Sequence, residues 1–155
     1  MRTIESLLDE YGQSHRNPTN KLVHWICVPI IFFSIVGLLY SVKFSGILLT
    51  PGLPLNLAMV TLLLLLIYYI RLSPTLAAGM VLFGLVCLFV WQQIEDSGAT
   101  LWQVSIILLV SAWIAQFWGH KVEGKKPSFL KDLQFLLIGP AWLMSFIYGR
   151  VGIAI

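Results

Sequence analysis

Four long stretches without a charged residue constrain the fold of this chain more than any other feature of its sequence. They cover residues 22–42, 44–70, 72–94 and 97–119, and each reaches the ~20 residues that a helix needs to cross ~30 Å of hydrocarbon. A fifth apolar stretch, residues 133–149, is shorter. Only 11% of the 155 residues are charged and the mean hydropathy is +0.86, whereas a soluble domain carries roughly 25% charged residues. The sequence therefore predicts an all-α, polytopic membrane bundle of four to five spans.

The boundaries of the predicted spans follow from where prolines and charged residues interrupt these stretches. We predict a single integral membrane domain, residues 1–155, with spans at about residues 19–42, 55–70, 72–94 and 98–119. Pro51 and Pro54 indicate a turn within the second stretch, because proline fixes the backbone and removes a hydrogen-bond donor. The last segment, about residues 129–149, is expected to be broken at Gly139 and Pro140 for the same reason.

The segment before the first span, residues 1–17, is predicted to form an amphipathic helix at the membrane surface. Its apolar residues recur at helical spacing with charged residues between them: Ile4, Leu7, Leu8 and Tyr11. Asn17 as N-cap and Pro18 as first residue favour the start of a second helix that continues into the first span. The charges in this segment are not typical of a secretory signal, so no cleavable signal is expected.

The distribution of Lys and Arg predicts the orientation of the chain. With the N-terminus in the cytoplasm, eight cationic residues face the cytoplasm: Arg2, Arg16, Lys21, Arg71, Lys121, Lys125, Lys126 and Lys131. Lys43 and Arg150 then lie outside, in keeping with the positive-inside rule. Because the positive charges lie at segment ends and do not cluster with aromatic residues, no nucleic-acid partner is predicted. The short chain favours a bacterial inner membrane, and the oligomeric state stays open.

Three histidines, His15, His24 and His120, are the residues most suited to metal chemistry. His24 lies at the start of the first span and His120 at the end of the fourth, and four crossings return the chain to its starting side. All three are therefore expected at one cytoplasmic face. Neutral imidazole is the commonest protein ligand of transition metals, and three ligands leave positions open for substrate or oxygen. Glu123 follows closely, so either three histidines or two histidines and a carboxylate suit a mononuclear non-haem iron centre.

Three of the candidate residues also have a simpler explanation, whereas His24, inside an apolar stretch, is costly to leave unpaired and is by default a functional candidate. His15 suits a hydrated position at the membrane interface, Tyr11 that of an interface tyrosine, and Glu123 that of a solvated charge among lysines. The tryptophans are predicted to anchor the spans at the interfaces: Trp25, Trp91, Trp102, Trp113, Trp118 and Trp142. Zinc and iron accept the same ligands, so a non-catalytic membrane protein with a structural zinc site, or a lipid-binding module, is the alternative to an enzyme. Few polar residues lie at mid-span, which disfavours a carrier or channel.

Two patterns near the ends of this hydrophobic chain carry a resemblance to a known family. The first joins Tyr11, His15, Pro18, Asn20, His24, Val28 and Pro29, and the second joins Gln116, Gly119, His120, Glu123 and Pro127. Separated by the intervening spans, they resemble the Mpo1-like family, whose fungal members are membrane-bound 2-hydroxy fatty acid dioxygenases. The resemblance extends from Tyr11 to about Trp142. It is specific at both ends and only hydrophobic between them.

The resemblance implies an iron(II)-dependent dioxygenase that takes part in fatty acid α-oxidation. Such an enzyme removes one carbon from a long-chain 2-hydroxy fatty acid with O2 and without 2-oxoglutarate. Family histidines that match His15, His24 and His120 look like catalytic metal ligands. The family tends to carry an acidic residue shortly after the proline of its last segment, but the corresponding segment here, GPAWLMSFIYG, has none. This makes Glu123 a stronger candidate for a further metal ligand.

Four other residues are predicted to assist this chemistry. A 2-hydroxy carboxylate chelates a metal through its carboxylate and hydroxyl oxygens, while its tail requires an apolar slot between the spans. Arg16 and Lys121 are candidates for attracting the carboxylate, although lipid phosphates explain them equally well. Asn20 and Tyr11 are candidates for orienting a ligand histidine or the substrate, since a metal-bound imidazole needs its second nitrogen held in place.

Overall fold

Six helices and one short β-hairpin make up the computed structural model, which describes residues 3–13, 15–50, 52–124 and 129–155, and the side chains of all of these except 129–136. In chain order the elements are α1 (Ile4–Gln13), α2 (Pro18–Tyr40), β1 (Lys43–Thr50), β2 (Leu53–Asn56), α3 (Leu57–Leu72), α4 (Pro74–Asp96), α5 (Leu101–Glu123) and α6 (Phe129–Val151). The predicted helical bundle is confirmed, with the hairpin as an addition.

Three helices of the described chain are long and apolar enough to cross a membrane: α2, α4 and α5, each of 23 residues. This is fewer than the four to five spans predicted. Helix α3 is apolar but has 16 residues, or about 24 Å of helix against ~30 Å of hydrocarbon. Its ends are fixed by Asn56, whose side chain accepts the Met59 N–H at 3.1 Å, and by Ser73, which caps the start of α4.

Helices α2 and α5 form the central antiparallel pair of the bundle, with His24 beside His120 at one end and Gly37 close to Ser105 at the other. Gly37 permits this close packing, because a methyl group in its place would overlap Oγ of Ser105 on α5 and the ring of Trp91 on α4. Trp91 is fully buried, and its indole N–H donates to a backbone carbonyl of α2 at 2.8 Å. Interior packing therefore explains this tryptophan, and its predicted role as an interface anchor is wrong.

A β-hairpin follows α2, where the sequence predicts only a turn. The strands pair antiparallel, with Lys43 opposite Asn56. Nearly all side chains of β1 are exposed, so the segment lacks the alternation of buried and exposed residues by which half-buried strands are recognised. An ion pair of 2.9 Å between Lys43 Nζ and Glu95 ties the base of the hairpin to the end of α4. Pro51, one of the two prolines that predict the turn, lies outside the described residues.

Helix α6 continues through Pro140, so the break predicted at Gly139 and Pro140 is wrong. A proline inside a helix removes one hydrogen bond and strains the preceding turn, but here packing holds the helix on both sides of it. Ile138 and Ala141 are fully buried. Gly139 lies against α1, where an added methyl group would be 3.1 Å from the Tyr11 hydroxyl.

The amphipathic helix predicted within residues 1–17 is present as α1, but its apolar face is covered by protein. The four apolar residues of this face, Ile4, Leu7, Leu8 and Tyr11, are buried. They pack in one cluster with Ile138, Trp142 and Leu143 of α6. This packing differs from the predicted helix with its apolar face on lipid. Docking of α1 on the bundle also places the chain that follows it near the start of α2.

Candidate metal centre

His15 lies just after α1 and is held by Tyr11, four residues earlier. Its Nδ1 is 2.7 Å from the carbonyl oxygen of Tyr11, and because a carbonyl oxygen only accepts, Nδ1 carries the proton and donates it. The two rings also stack, with centroids 4.2 Å apart. Nε2 of His15 is therefore the nitrogen whose lone pair suits a metal.

His24 lies near the start of α2 and is completely buried. The predicted helix start is confirmed: Asn17 is the N-cap, its side chain accepts the Thr19 N–H at 2.9 Å, and Pro18 is the first helical residue. Nδ1 of His24 donates to the backbone carbonyl of Asn20 at 2.9 Å, so the lone pair is again on Nε2. Asn20 thus contacts a candidate ligand histidine through its backbone.

His120 lies in the last turn of α5 and is only 8% exposed. The structure brings it together with His15 and His24, so that one ligand atom from each lies within 4.8 Å of the others. The ring centroid of His24 is 4.1 Å from that of His15 and 4.9 Å from that of His120. Although α2 and α5 are far apart in sequence, their antiparallel pairing brings His24 and His120 together.

Three buried imidazoles fit a divalent transition metal. Iron, zinc, copper and nickel all accept nitrogen donors of this kind, and three such donors do not select among them. In His15 and His24 a backbone carbonyl holds the second ring nitrogen, as is usual for metal-ligating histidines. The donor set present in this chain therefore fits the metal ion that the sequence predicts.

The structure places Glu123 outside the three-histidine group. Its Oε1 accepts the backbone N–H of Arg16 at 3.0 Å, and its Oε2 accepts the backbone N–H of Asn17 at 2.9 Å. The side-chain amide of Asn20 donates to Oε2 at 3.1 Å. Both carboxylate oxygens are thus engaged by the start of α2, which accounts for the difference from the predicted metal ligand.

Gln116 is a residue of the site that the sequence analysis assigned no role. Its side-chain amide nitrogen lies 3.0 Å from Nε2 of His24, and because that nitrogen holds the lone pair, Gln116 donates to it. Gln116 precedes His120 by one turn of α5, and residues four apart share a helix face. That spacing was the available signal, and the residue also appears in the second family pattern.

Aromatic rings form one wall of the site. Trp142 on α6 has its ring centroid 5.1 Å from that of Tyr11 and 5.6 Å from that of His15. It is only 4% exposed, so the prediction that it is an interface anchor is wrong. The sequence pattern could not predict this position of Trp142, because only the docking of α1 on α6 brings Trp142 close to the histidines.

Arg16 and Lys121 are at the outer rim of this site. Each directly follows a histidine of the group in the sequence, and both are exposed. They add two positive charges beside a buried cluster of histidine rings. Pro127 of the second family pattern lies outside the described residues, as do Lys125 and Lys126.

Fold and site together define a helical bundle with membrane-length apolar helices and a buried three-histidine group at one end. The chain belongs to the Mpo1-like family: the family model described as 2-hydroxy-palmitic acid dioxygenase Mpo1-like matches residues 1–151. The protein named 2-hydroxy-palmitic acid dioxygenase MPO1 of Saccharomyces cerevisiae is 32% identical over 153 residues, which cover 96% of this chain and 82% of that protein. No solved structure matches the chain. The resemblance found in the sequence is thereby confirmed.

Proposed function

We propose that this membrane protein is an iron(II)-dependent dioxygenase of long-chain 2-hydroxy fatty acids, which shortens them by one carbon. The observation that carries the proposal is the group of His15, His24 and His120, with ligand atoms within 4.8 Å of one another. Membership of the Mpo1-like family and the name of the yeast relative support the substrate class.

In this proposal His15, His24 and His120 are the catalytic metal ligands, each through one ring nitrogen. Bound Fe(II) supplies the redox chemistry with dioxygen, and the 2-hydroxy acid is the source of electrons, so that 2-oxoglutarate is not required. The backbone carbonyls of Tyr11 and Asn20 hold two of the imidazoles in one tautomer. Burial of the rings excludes bulk water from the reacting groups.

The substrate head group fits the polar side of this site. Arg16 and Lys121, both exposed at the rim, attract the carboxylate as it leaves the membrane surface. His15, His24 and His120 would hold the metal, which would attract the carboxylate and hydroxyl oxygens of the substrate. The amide of Gln116, next to His24, is within reach of a group that binds beside that histidine.

The substrate tail requires an apolar slot, for which the described bundle offers a candidate. A groove of about 210 Å³ lies between α3 and α4 and is lined by Phe32, Leu62, Leu66, Met80 and Gly84 among others. Phe32 is on α2, eight residues beyond His24, which corresponds to about 12 Å along the helix. We propose that the acyl chain runs down α2 into this groove.

The proposed orientation places the N-terminus and the metal site on the cytoplasmic side. It rests on the positive-inside rule applied to the Lys and Arg residues, of which Arg2, Lys125 and Lys126 lie outside the described residues. The bacterial inner membrane stays a prediction from the sequence.

Oxygen uptake tests the proposal. The protein is purified in detergent, loaded anaerobically with Fe(II), and mixed with 2-hydroxypalmitate or, as control, with palmitate. We expect uptake with the hydroxy acid alone and formation of the acid that is one carbon shorter. No uptake with either acid, despite confirmed iron, would contradict the proposal and favour a structural metal site, for which metal analysis of the protein isolated without added iron would show zinc.

A further inference from the structure

Glu123 joins two parts of the chain that are far apart in sequence, the end of α5 and the residues around the start of α2. It is the last residue of α5, and its carboxylate is hydrogen-bonded to groups 103 to 107 residues earlier. Two of its donors are backbone N–H groups, of Arg16 and Asn17, and the third is the side-chain amide of Asn20. A charged acceptor makes these bonds stronger than bonds between neutral groups.

Two of the three donor residues are directly linked to a histidine of the site. Arg16 directly follows His15, and the backbone carbonyl of Asn20 holds Nδ1 of His24. Glu123 itself follows His120 within the last turn of α5. The hydrogen bonds of one carboxylate therefore connect all three chain segments that carry the histidines.

The charge of this carboxylate also suits its place. Asn17 is the N-cap of α2, and the N-terminus of a helix has unpaired N–H groups and a partial positive charge. A carboxylate there lowers the free energy of the helix start while it fixes the preceding loop. The substitution Glu123→Gln keeps the shape of the side chain but removes its charge and one of its two hydrogen-bond acceptors from this N-terminus.

We infer that Glu123 is a positioning residue of the proposed metal site, which holds His15 and the start of α2 against the end of α5 without binding the metal. This inference rests on the proposed function for its metal, but the three hydrogen bonds of Glu123, called the clamp below, are a property of the chain itself. Two measurements distinguish a failure of the clamp from a failure of the proposed function, one with metal and one without.

The first measurement is a titration with Co(II), followed by its visible absorption, on the wild-type protein and Glu123→Gln. We expect one equivalent of Co(II) with an unchanged spectrum at saturation and a dissociation constant raised roughly 10- to 100-fold, as for other residues that hold ligand histidines. The control is Glu95→Gln, which removes a carboxylate at the opposite end of the bundle. A changed spectrum at saturation would show that a ligand was lost, and an unchanged dissociation constant would show that the clamp does not affect the site; either overturns the inference.

The second measurement is hydrogen exchange without metal. In Glu123→Gln the amides of Arg16 and Asn17 are expected to exchange faster than in the wild type, while amides inside α2 and α5 keep their protection and show that the bundle is folded. Equal exchange at these two amides would overturn the inference. If the wild-type protein takes up no Co(II), the proposed function fails, and this exchange experiment still decides whether the clamp exists.

Discussion

Nε2 of His24 lies 3.0 Å from the side-chain amide nitrogen of Gln116. Since Nδ1 of the same ring donates to a backbone carbonyl, the lone pair on Nε2 is the acceptor in this contact. A metal ion at the site needs the same lone pair. Metal binding and the Gln116 hydrogen bond are therefore mutually exclusive at this nitrogen, and binding frees the amide of Gln116 beside the metal.

This competition predicts that Gln116→Ala binds metal as tightly as the wild type or more tightly. One hydrogen bond contributes about 1 kcal/mol net, so its removal raises the affinity by up to about fivefold. Oxygen uptake is expected to fall, because the variant lacks the amide that, in the proposed complex, is within reach of the bound substrate. Co(II) titration and oxygen uptake measure the two effects separately.

Gln103→Ala is the matched control, since Gln103 is exposed near the other end of α5. It is expected to change neither quantity. A Gln116→Ala protein with much weaker metal binding would contradict the competition and would show that the glutamine supports the histidine.

A second prediction concerns the histidines themselves. His24→Ala and His120→Ala each leave two imidazoles. The metal affinity is expected to fall by more than the roughly 10- to 100-fold lost with a residue that only orients a ligand histidine, so that little metal is retained, while the protein stays helical and membrane-inserted. Metal analysis after purification, with circular dichroism as the folding control, checks this. Full metal content in either variant would exclude that histidine from the site.

The sequence was sufficient to predict that the three histidines lie at one end of a helical bundle, because His24 and His120 lie at the ends of long apolar stretches. The number of spans was predicted less well, because apolar length alone counted α3, which has 16 residues, as a full span. The sequence was not sufficient for Glu123. Spacing placed its carboxylate near His120, but its partners Arg16 and Asn17 are backbone groups more than a hundred residues away, and no side-chain pattern reports a backbone donor.

The missed parts of the fold have the same kind of cause. The helix through Pro140 is held by packing of α1 on α6, and the burial of Trp91 and Trp142 depends on neighbours from other helices. Local propensity predicts a break at the proline and an interface position for the tryptophans. Tertiary contacts, which the local pattern does not contain, reverse both predictions.

A third prediction tests the groove between α3 and α4 as the slot for the acyl chain. An added side chain at Gly84 points at Leu62, with its first atom 3.4 Å away, so Gly84→Leu fills the groove. Each methylene of the substrate that loses its apolar contact raises KM roughly fourfold. We expect KM to rise for a long-chain 2-hydroxy acid and to stay constant for a short one.

Val86→Leu is the control for this variant, because Val86 is on the same helix and half exposed. It enlarges a side chain outside the groove and is expected to leave both KM values unchanged. An equal rise for short and long substrates in Gly84→Leu would place the acyl chain elsewhere.

Gly119 supplies the last prediction, because it lies where α5 meets the start of α2. A methyl group at this position would be 2.7 Å from Oδ1 of Asn20 and 3.1 Å from the side chain of Val23. Asn20 is fully buried, so Gly119→Ala has to push the two helices apart, at a cost of about 1–3 kcal/mol in the free energy of unfolding. The same displacement separates His24 from His120 and weakens metal binding.

Gly149→Ala is the control. An added methyl group there meets nothing within 4 Å, and the variant is expected to be neutral or stabilising, since alanine favours helix by up to about 1 kcal/mol over glycine. Thermal unfolding in detergent, with and without Co(II), measures both variants. Equal stability and equal metal affinity in the two would show that the helices do not pack closely at Gly119.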